Sequence, residues 1–93
     1  MIESFKHKGL KRLFEEDDRS KLAADMVAKI RLVLSALEEA GSIDDLNQPS
    51  FRLHALKGDL KGYWAVTVRA NWRIVFRFDA DKASNVDLVD YHR

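Results

Sequence analysis

A chain of 93 residues supports one hydrophobic core and excludes a multidomain enzyme, and 46% hydrophobic with 33% charged residues excludes a disordered segment. Sixteen Lys and Arg against fifteen Asp and Glu give a net charge of +1, so bulk charge argues neither for nucleic acid nor for a membrane surface. The absence of cysteine excludes disulfides, thiolate zinc sites and cysteine nucleophiles. With no apolar signal core in MIESFKHKGL and no long apolar window, a soluble, unexported, cytoplasmic protein is expected.

Ile2 to Phe5 reads as an edge strand. His7 to Glu16 reads as a short helix, with Leu10, Leu13 and Phe14 on one stripe. After the polar EDDRS stretch, Leu22, Met26, Ile30, Val33, Leu34 and Leu37 recur at spacings of three and four. That is one face of a second helix, with Ser20 placed to cap its start and Gly41 its end. Beyond Pro49 the apolar period becomes two. Residues 51 to 56 read as a short strand. Trp64, Val66 and Val68 alternate with Tyr63, Ala65, Thr67 and Arg69, and after a turn near Ala70 and Asn71, Trp72, Ile74, Phe76 and Phe78 alternate with Arg73, Val75 and Arg77. A turn from Asp79 to Ser84 then leads to a last strand, VDLVDYH, at residues 86 to 92. The expected order is β-α-α-β-β-β-β: a single α+β domain over residues 1–93, two N-terminal helices packed on one face of a mostly antiparallel β-sheet and the other face open.

The charge is distributed unevenly. Residues 51 to 78 hold six basic side chains (Arg52, Lys57, Lys61, Arg69, Arg73, Arg77) against one acid, Asp59, whereas residues 37 to 50 hold four acids and no base. If Trp72, Ile74, Phe76 and Phe78 pack under the helices, parity turns Arg73 and Arg77 to the uncovered face. A cationic face of this kind attracts phosphates, although solvent-facing strands commonly carry Lys and Arg without a ligand. Trp64 and Trp72 share the inward parity, which favours core packing over base stacking.

The histidines are the candidate proton carriers. His7 opens the first helix, while His54 and His92 lie in the strand half and can serve as acid and base if the fold brings them to one basic face; taken alone, the residues favour an ordinary half-buried role for His54 and a chain-end role for His92. Two distant His residues without an HxxxH-type spacing fall short of a zinc site, so no metal or other cofactor is expected. Asp90, Tyr91 and His92 close the last strand. Alternation separates Asp90 and His92 from Tyr91, so a site shared by all three needs a twist or bulge there.

The blocks RLHALKGDLKGYWAV (52 to 66), NWRIVFRF (71 to 78) and VDLVDYH (86 to 92), with the opening IESFKHKGLKRLFE, resemble the HigB toxins of the RelE superfamily, the killer-protein family of bacterial type II toxin–antitoxin systems. The resemblance runs over nearly the whole chain and is weakest from Glu16 to Ser50. It implies a RelE-like fold and a ribosome-dependent endoribonuclease that cleaves mRNA in the ribosomal A site, without metal, by attack of a 2′-OH on the adjacent phosphate. It also implies a cognate helix-turn-helix antitoxin through which operator DNA is reached, and no membrane partner. Catalytic roles carry over to His54, Lys57, Arg73, Asp90, Tyr91 and His92, with Lys61, Arg69 and Arg77 as further RNA-binding cations. Ala55 departs from the family, many of whose members have Pro after the histidine, so the loop that aims His54 and Lys57 loses a fixed φ. The competing reading is a toxin-fold module that binds its antitoxin as a corepressor without cleaving RNA. A cleavage-deficient site would be expected to have lost some of the six catalytic residues, and all six are present. Because a long-lived complex needs more area than the small active face, the outer surfaces of the helices and the adjoining sheet edge are the expected antitoxin docking places.

Overall fold

The computed structural model describes residues 1–90. Helix α1 spans Lys8–Glu16 and helix α2 Val27–Glu39; strands β1 (His54–Ala55), β2 (Tyr63–Arg69), β3 (Trp72–Asp79) and β4 (Lys82–Asp90) form one antiparallel sheet in the order β1-β2-β3-β4. The N-terminal segment completes the expected element order without forming a continuous strand. It lies along β4 through two isolated parallel bridges, Ile2 to Ala83 and Phe5 to Val86.

The two apolar periods meet in one core. Leu10 and Leu13 of α1 and Ile30, Val33, Leu34 and Leu37 of α2 share a buried cluster with Val66, Val68, Ile74, Phe76, Ala83, Val86 and Leu88 of the sheet. Trp64, Trp72 and Phe78 pack at its margin, as their parity requires. Phe14 departs from the expected stripe: it stays 38% exposed, its ring 5.7 Å from that of Phe5.

Local hydrogen bonding sets the helix starts, and at α2 it overrides the sequence cue. At α1 the cap is His7, whose Nδ1 accepts the Leu10 N–H at 3.2 Å. Ser20 does not cap α2. Its N–H donates to Asp18 Oδ1 at 3.0 Å, and its side-chain and backbone hydrogen bonds, with Arg12 adding to them, hold the Asp18 carboxyl below the ordinary carboxylate range. The chain then makes a 3-10 turn at Ala24–Met26, and α2 starts only at Val27. At the other end Ala40 leaves the helix in an extended conformation, so Gly41 supplies no left-handed cap, and its N–H bonds Asp45 Oδ2 instead.

The strand half differs in three places. A bulge between Thr67 and Arg69 sets Arg69 in register with the inward Trp72, so it leaves the outward row in which alternation with Tyr63, Ala65 and Thr67 placed it. Residues 51 to 56 contain only the two-residue β1, because Pro49–Phe51 form a 3-10 turn that drops Phe51 into the core. β4 begins at Lys82, four residues earlier than its alternation indicates. A tight turn at Ala80, with φ of 56°, replaces the expected longer one, and a bulge at Asn85, with φ of 54°, lets both Ala83 and Val86 face the core. An odd spacing between two inward residues hides a strand from a period-two reading.

Phe51 is fully buried whereas Leu32 is 54% exposed. Phe51→Ala should therefore lower the unfolding free energy by about 3–5 kcal/mol. Leu32→Ala should stay within about 0.5 kcal/mol of the parent. Chemical denaturation of the two variants checks the contrast, and equal losses would contradict this placement of the core.

Candidate active site

Three rows of side chains cross the sheet face opposite the helices. Thr67, Arg73 and Val89 stand in register in one row; His54, Ala65, Val75 and Asp87 form the next; Tyr63, Arg77 and Ser84 form the third. His54 and Arg73 thus share a face, separated by one row along the strands and two strands across. That offset is roughly 7 Å along and about 10 Å across the sheet.

This face is not open throughout. Ala65 and Val75 are buried beneath Leu56 and the half-buried Leu60, with Tyr63 and Val89 completing a second apolar cluster. The segment between β1 and β2 is folded onto the sheet by these two leucines, and it carries Lys57 between the buried Leu56 and Gly58, whose φ is 66°. Leu56 and Leu60 were visible in RLHALKGDLKGY as the apolar members of a basic loop, and parity alone did not assign them a partner.

Arg73 is half-buried. Its Nη1 donates to the carbonyl of Ala70 and, at 3.3 Å, to that of Trp72, while its Nε is buried with no hydrogen-bond partner. The guanidinium is folded back on the β2–β3 turn, oriented by main-chain carbonyls and neutralised by no acid among the described residues. Such a group retains its charge for an incoming anion, and its planar fork suits a phosphate. His54 is exposed, with Nδ1 3.0 Å from the Arg52 carbonyl oxygen.

The other cations divide by their neighbours. Arg69 is ion-paired with Asp25 at 3.2 Å, an exposed contact of small energetic weight that nonetheless orients it toward the helix side. Arg77 lies 5.3 Å from the centre of the Tyr63 ring and Lys6 5.7 Å from it, with the Tyr63 hydroxyl accepting from Asn85 Nδ2 at 3.1 Å. Neither Lys57 nor Lys61 has an acidic partner within 4 Å among the described residues. A polar cleft of about 670 Å³, lined by Glu3, Gly62, Arg77, Asp81, Lys82 and Ser84 among others, lies toward the opposite end of β3 from Arg73.

Asp90 stands in register with Trp72, so alternation places it at the end of the helix-side row, on the face opposite Arg73. Tyr91 and His92 lie outside the described residues. The described site is therefore a cationic outer face holding His54, Lys57 and Arg73, while Asp90 stands at the end of β4 on the other face. Asp87, which shares a row with His54, is an outer-face acid that the linear reading did not single out.

Solved structures show the fold. The chain superposes on YafQ from E. coli strain BL21(DE3) with a TM-score of 0.65, 14% identity, and coverage of 97% of this chain and 91% of that one. It superposes on a chain of the heterotetrameric YoeB–YefM toxin–antitoxin complex from Staphylococcus aureus with a TM-score of 0.63, 19% identity, and coverage of 100% and 97%. The fold is that of the RelE-like toxins. The family model described as the RelE-like toxin of type II toxin-antitoxin system HigB matches residues 3–92, and the chain belongs to that family. It is 50% identical over 92 residues to Endoribonuclease HigB of Proteus vulgaris, covering 99% of this chain and 100% of that protein. With Toxin HigB-1 of Vibrio cholerae it shares 30% identity over 95 residues, covering 100% and 99%.

Because Leu56 anchors the loop that carries Lys57, Leu56→Ala should cost about 2–3 kcal/mol of stability. Amide exchange should rise in residues 56 to 62 more than in β3. Hydrogen exchange read residue by residue checks this, and uniform acceleration across the sheet would contradict a local anchor.

Proposed function

We propose that this chain is the toxin of a type II toxin–antitoxin pair, an endoribonuclease that cleaves mRNA held in the ribosomal A site and so inhibits translation. The observation that carries the reading is the full-length 50% identity with a protein named Endoribonuclease HigB. The placement of His54 and Arg73 on one outer face supports it.

In the proposed reaction a base takes the proton of the 2′-OH as O2′ bonds to the adjacent phosphorus. The P–O5′ bond breaks, its electron pair leaves with O5′, and an acid protonates that oxygen. The products are a 2′,3′-cyclic phosphate and a 5′-OH end. Every proton moves between side chains and the RNA, so the scheme calls for no cofactor. Arg73 neutralises the charge that builds on the phosphate, with Lys57 adding a second cation. His54 and His92 are the proton-transfer pair, Asp90 orients a histidine or balances its charge, and Tyr91 stacks on or hydrogen-bonds the scissile nucleotide. Lys61 and Arg77 extend the cationic face along the RNA backbone. Arg69, turned to the helix side by its register with Trp72 and its pair with Asp25, meets the RNA only at the edge of that face, after exchanging Asp25 for a phosphate. The shallow, exposed face offers few means of holding a 2′-OH in line with its leaving oxygen, and the ribosome supplies that geometry.

The partner in this reading is an antitoxin, which the YoeB–YefM toxin–antitoxin complex among the structural relatives supports, and the family resemblance makes it one with a helix-turn-helix domain. The outer helical surface, where Phe14 and Leu32 are exposed, is the proposed docking side, and operator DNA is reached through the antitoxin.

Arg73→Ala should slow cleavage of mRNA on programmed ribosomes by roughly 100-fold or more, the scale of losing a major electrostatic stabiliser. His92→Ala should lower it by about 100-fold and change the pH profile. Circular dichroism of both variants should match the parent. Equal cleavage by all three proteins would reject these roles, and no cleavage by the parent would favour the non-cleaving corepressor module. Gel filtration of the purified toxin and antitoxin at micromolar concentration should give one stable complex, and two separate peaks would remove the antitoxin from the scheme.

A further inference from the structure

The segment before β1 carries a backbone feature that the proposed chemistry leaves unused. Arg52 has φ of 49° and ψ of 49°, the left-handed conformation that non-glycine residues rarely adopt. It does not end a long helix; it follows a single 3-10 turn, and its side chain is exposed. Such a conformation persists when the surroundings over-determine it. Here they do so from both sides. Phe51 is fully buried in the main core, and Leu53 packs against the same cluster. The turn itself is tied to α2 by Lys29, whose Nζ donates to the Ser50 carbonyl at 2.8 Å and lies 5.5 Å from the centre of the Phe51 ring. With Phe51 and Leu53 both directed inward, the residue between them absorbs the reversal of the chain.

The consequence falls on His54. Its Nδ1 lies 3.0 Å from the Arg52 carbonyl oxygen. A carbonyl oxygen only accepts, so Nδ1 must carry the hydrogen in this contact. In a neutral imidazole the other nitrogen is then the one with a free lone pair. β1 completes the placement, since pairing of His54 with Ala65 sets its side chain on the face that carries Arg73.

We infer that the left-handed backbone of Arg52 is a positioning device: it aims its carbonyl at Nδ1 of His54 and fixes the tautomer in which Nε2 accepts a proton. Arg52 acts through this carbonyl and not through its guanidinium. Resting on the nuclease reading, the inference deepens it by making His54 the base for the 2′-OH and leaving the acid's role to another group. In the step concerned, the 2′-OH proton passes to His54 Nε2 as O2′ bonds to phosphorus. The P–O5′ electron pair leaves with O5′, which takes its proton from the acid.

The test separates backbone from side chain. Glycine adopts positive φ without penalty, so Arg52→Gly keeps the carbonyl direction and removes the guanidinium; a β-branched residue resists that conformation, so Arg52→Val disturbs the carbonyl. Long-range ¹H–¹⁵N NMR of the imidazoles reads the tautomer directly, with no dependence on activity. The parent and Arg52→Gly should both show His54 protonated at Nδ1, and Arg52→Val should shift it toward Nε2 protonation. On programmed ribosomes, kcat should fall by roughly tenfold or more in Arg52→Val, a fraction of the full effect of a general base, with KM little changed. In Arg52→Gly it should stay within about threefold of the parent, since the backbone can hold its native conformation. If circular dichroism finds Arg52→Val unfolded, Arg52→Ala makes the same comparison with a milder backbone preference. An unchanged tautomer in the Val or Ala variant would overturn the inference, as would an equal loss of rate in Arg52→Gly, which would assign the effect to the guanidinium. A parent that cleaves nothing, with the tautomers responding as described, would overturn the nuclease reading while upholding the role of Arg52 in orienting His54.

Discussion

The inward row of β3, Trp72, Ile74, Phe76 and Phe78, enters one apolar cluster with α1 and α2, and most of the molecule's geometry follows from that burial. A strand has only two faces. Once the core takes these four side chains, Arg73, Val75 and Arg77 must emerge on the other side, and cross-strand pairing carries the assignment outward to His54, Thr67, Asp87 and Val89. A one-residue slip in β3 would bury two arginines under the helices and expose three aromatic rings, so register and charge placement are coupled by a single energetic preference.

The outer face then solves a second problem. Ala65 and Val75 in the middle of the sheet would leave an apolar strip in water, and Leu56 and Leu60 cover it. The covering loop runs directly on from His54 and includes Lys57. Packing there is thus also a means of positioning, because the energy that holds the leucines down restrains the cation between them. The apolar ridge separates the Arg73 end of the face from the Tyr63–Arg77 end, where Lys6 and Arg77 gather around one ring.

Charge pairing discriminates among cations that composition treats alike. Arg12, Arg31, Arg69 and Lys82 each meet a carboxylate. Among the described residues Arg73 meets only main-chain carbonyls, with a buried Nε that donates to none of them. In a low-dielectric setting an oriented, unneutralised guanidinium exerts more field on an approaching anion than one already paired. Its place beside the β2–β3 turn, on a strand paired on both sides, makes that orientation a property of the scaffold.

The amino-acid sequence by itself determined the two helices, the β2–β3 hairpin and the outward parity of Arg73, because each rests on a period short enough to be read within about ten residues. The conjunction of RLHALKG, NWRI and VDYH also pointed to the family, since motif order along the chain survives without coordinates. Boundaries were less legible wherever a side chain competes for the backbone: Asp18 takes the Ser20 N–H, Asp45 takes that of Gly41, and the bulge at Asn85 breaks the alternation of β4. Only the tertiary structure decided that Leu56 and Leu60 close part of the outer face, that Arg69 meets Asp25, and that Arg52 turns its carbonyl to His54. Each depends on segments distant in sequence or on a conformation imposed from both sides by core burial, and neither cause leaves a periodic trace in the sequence itself.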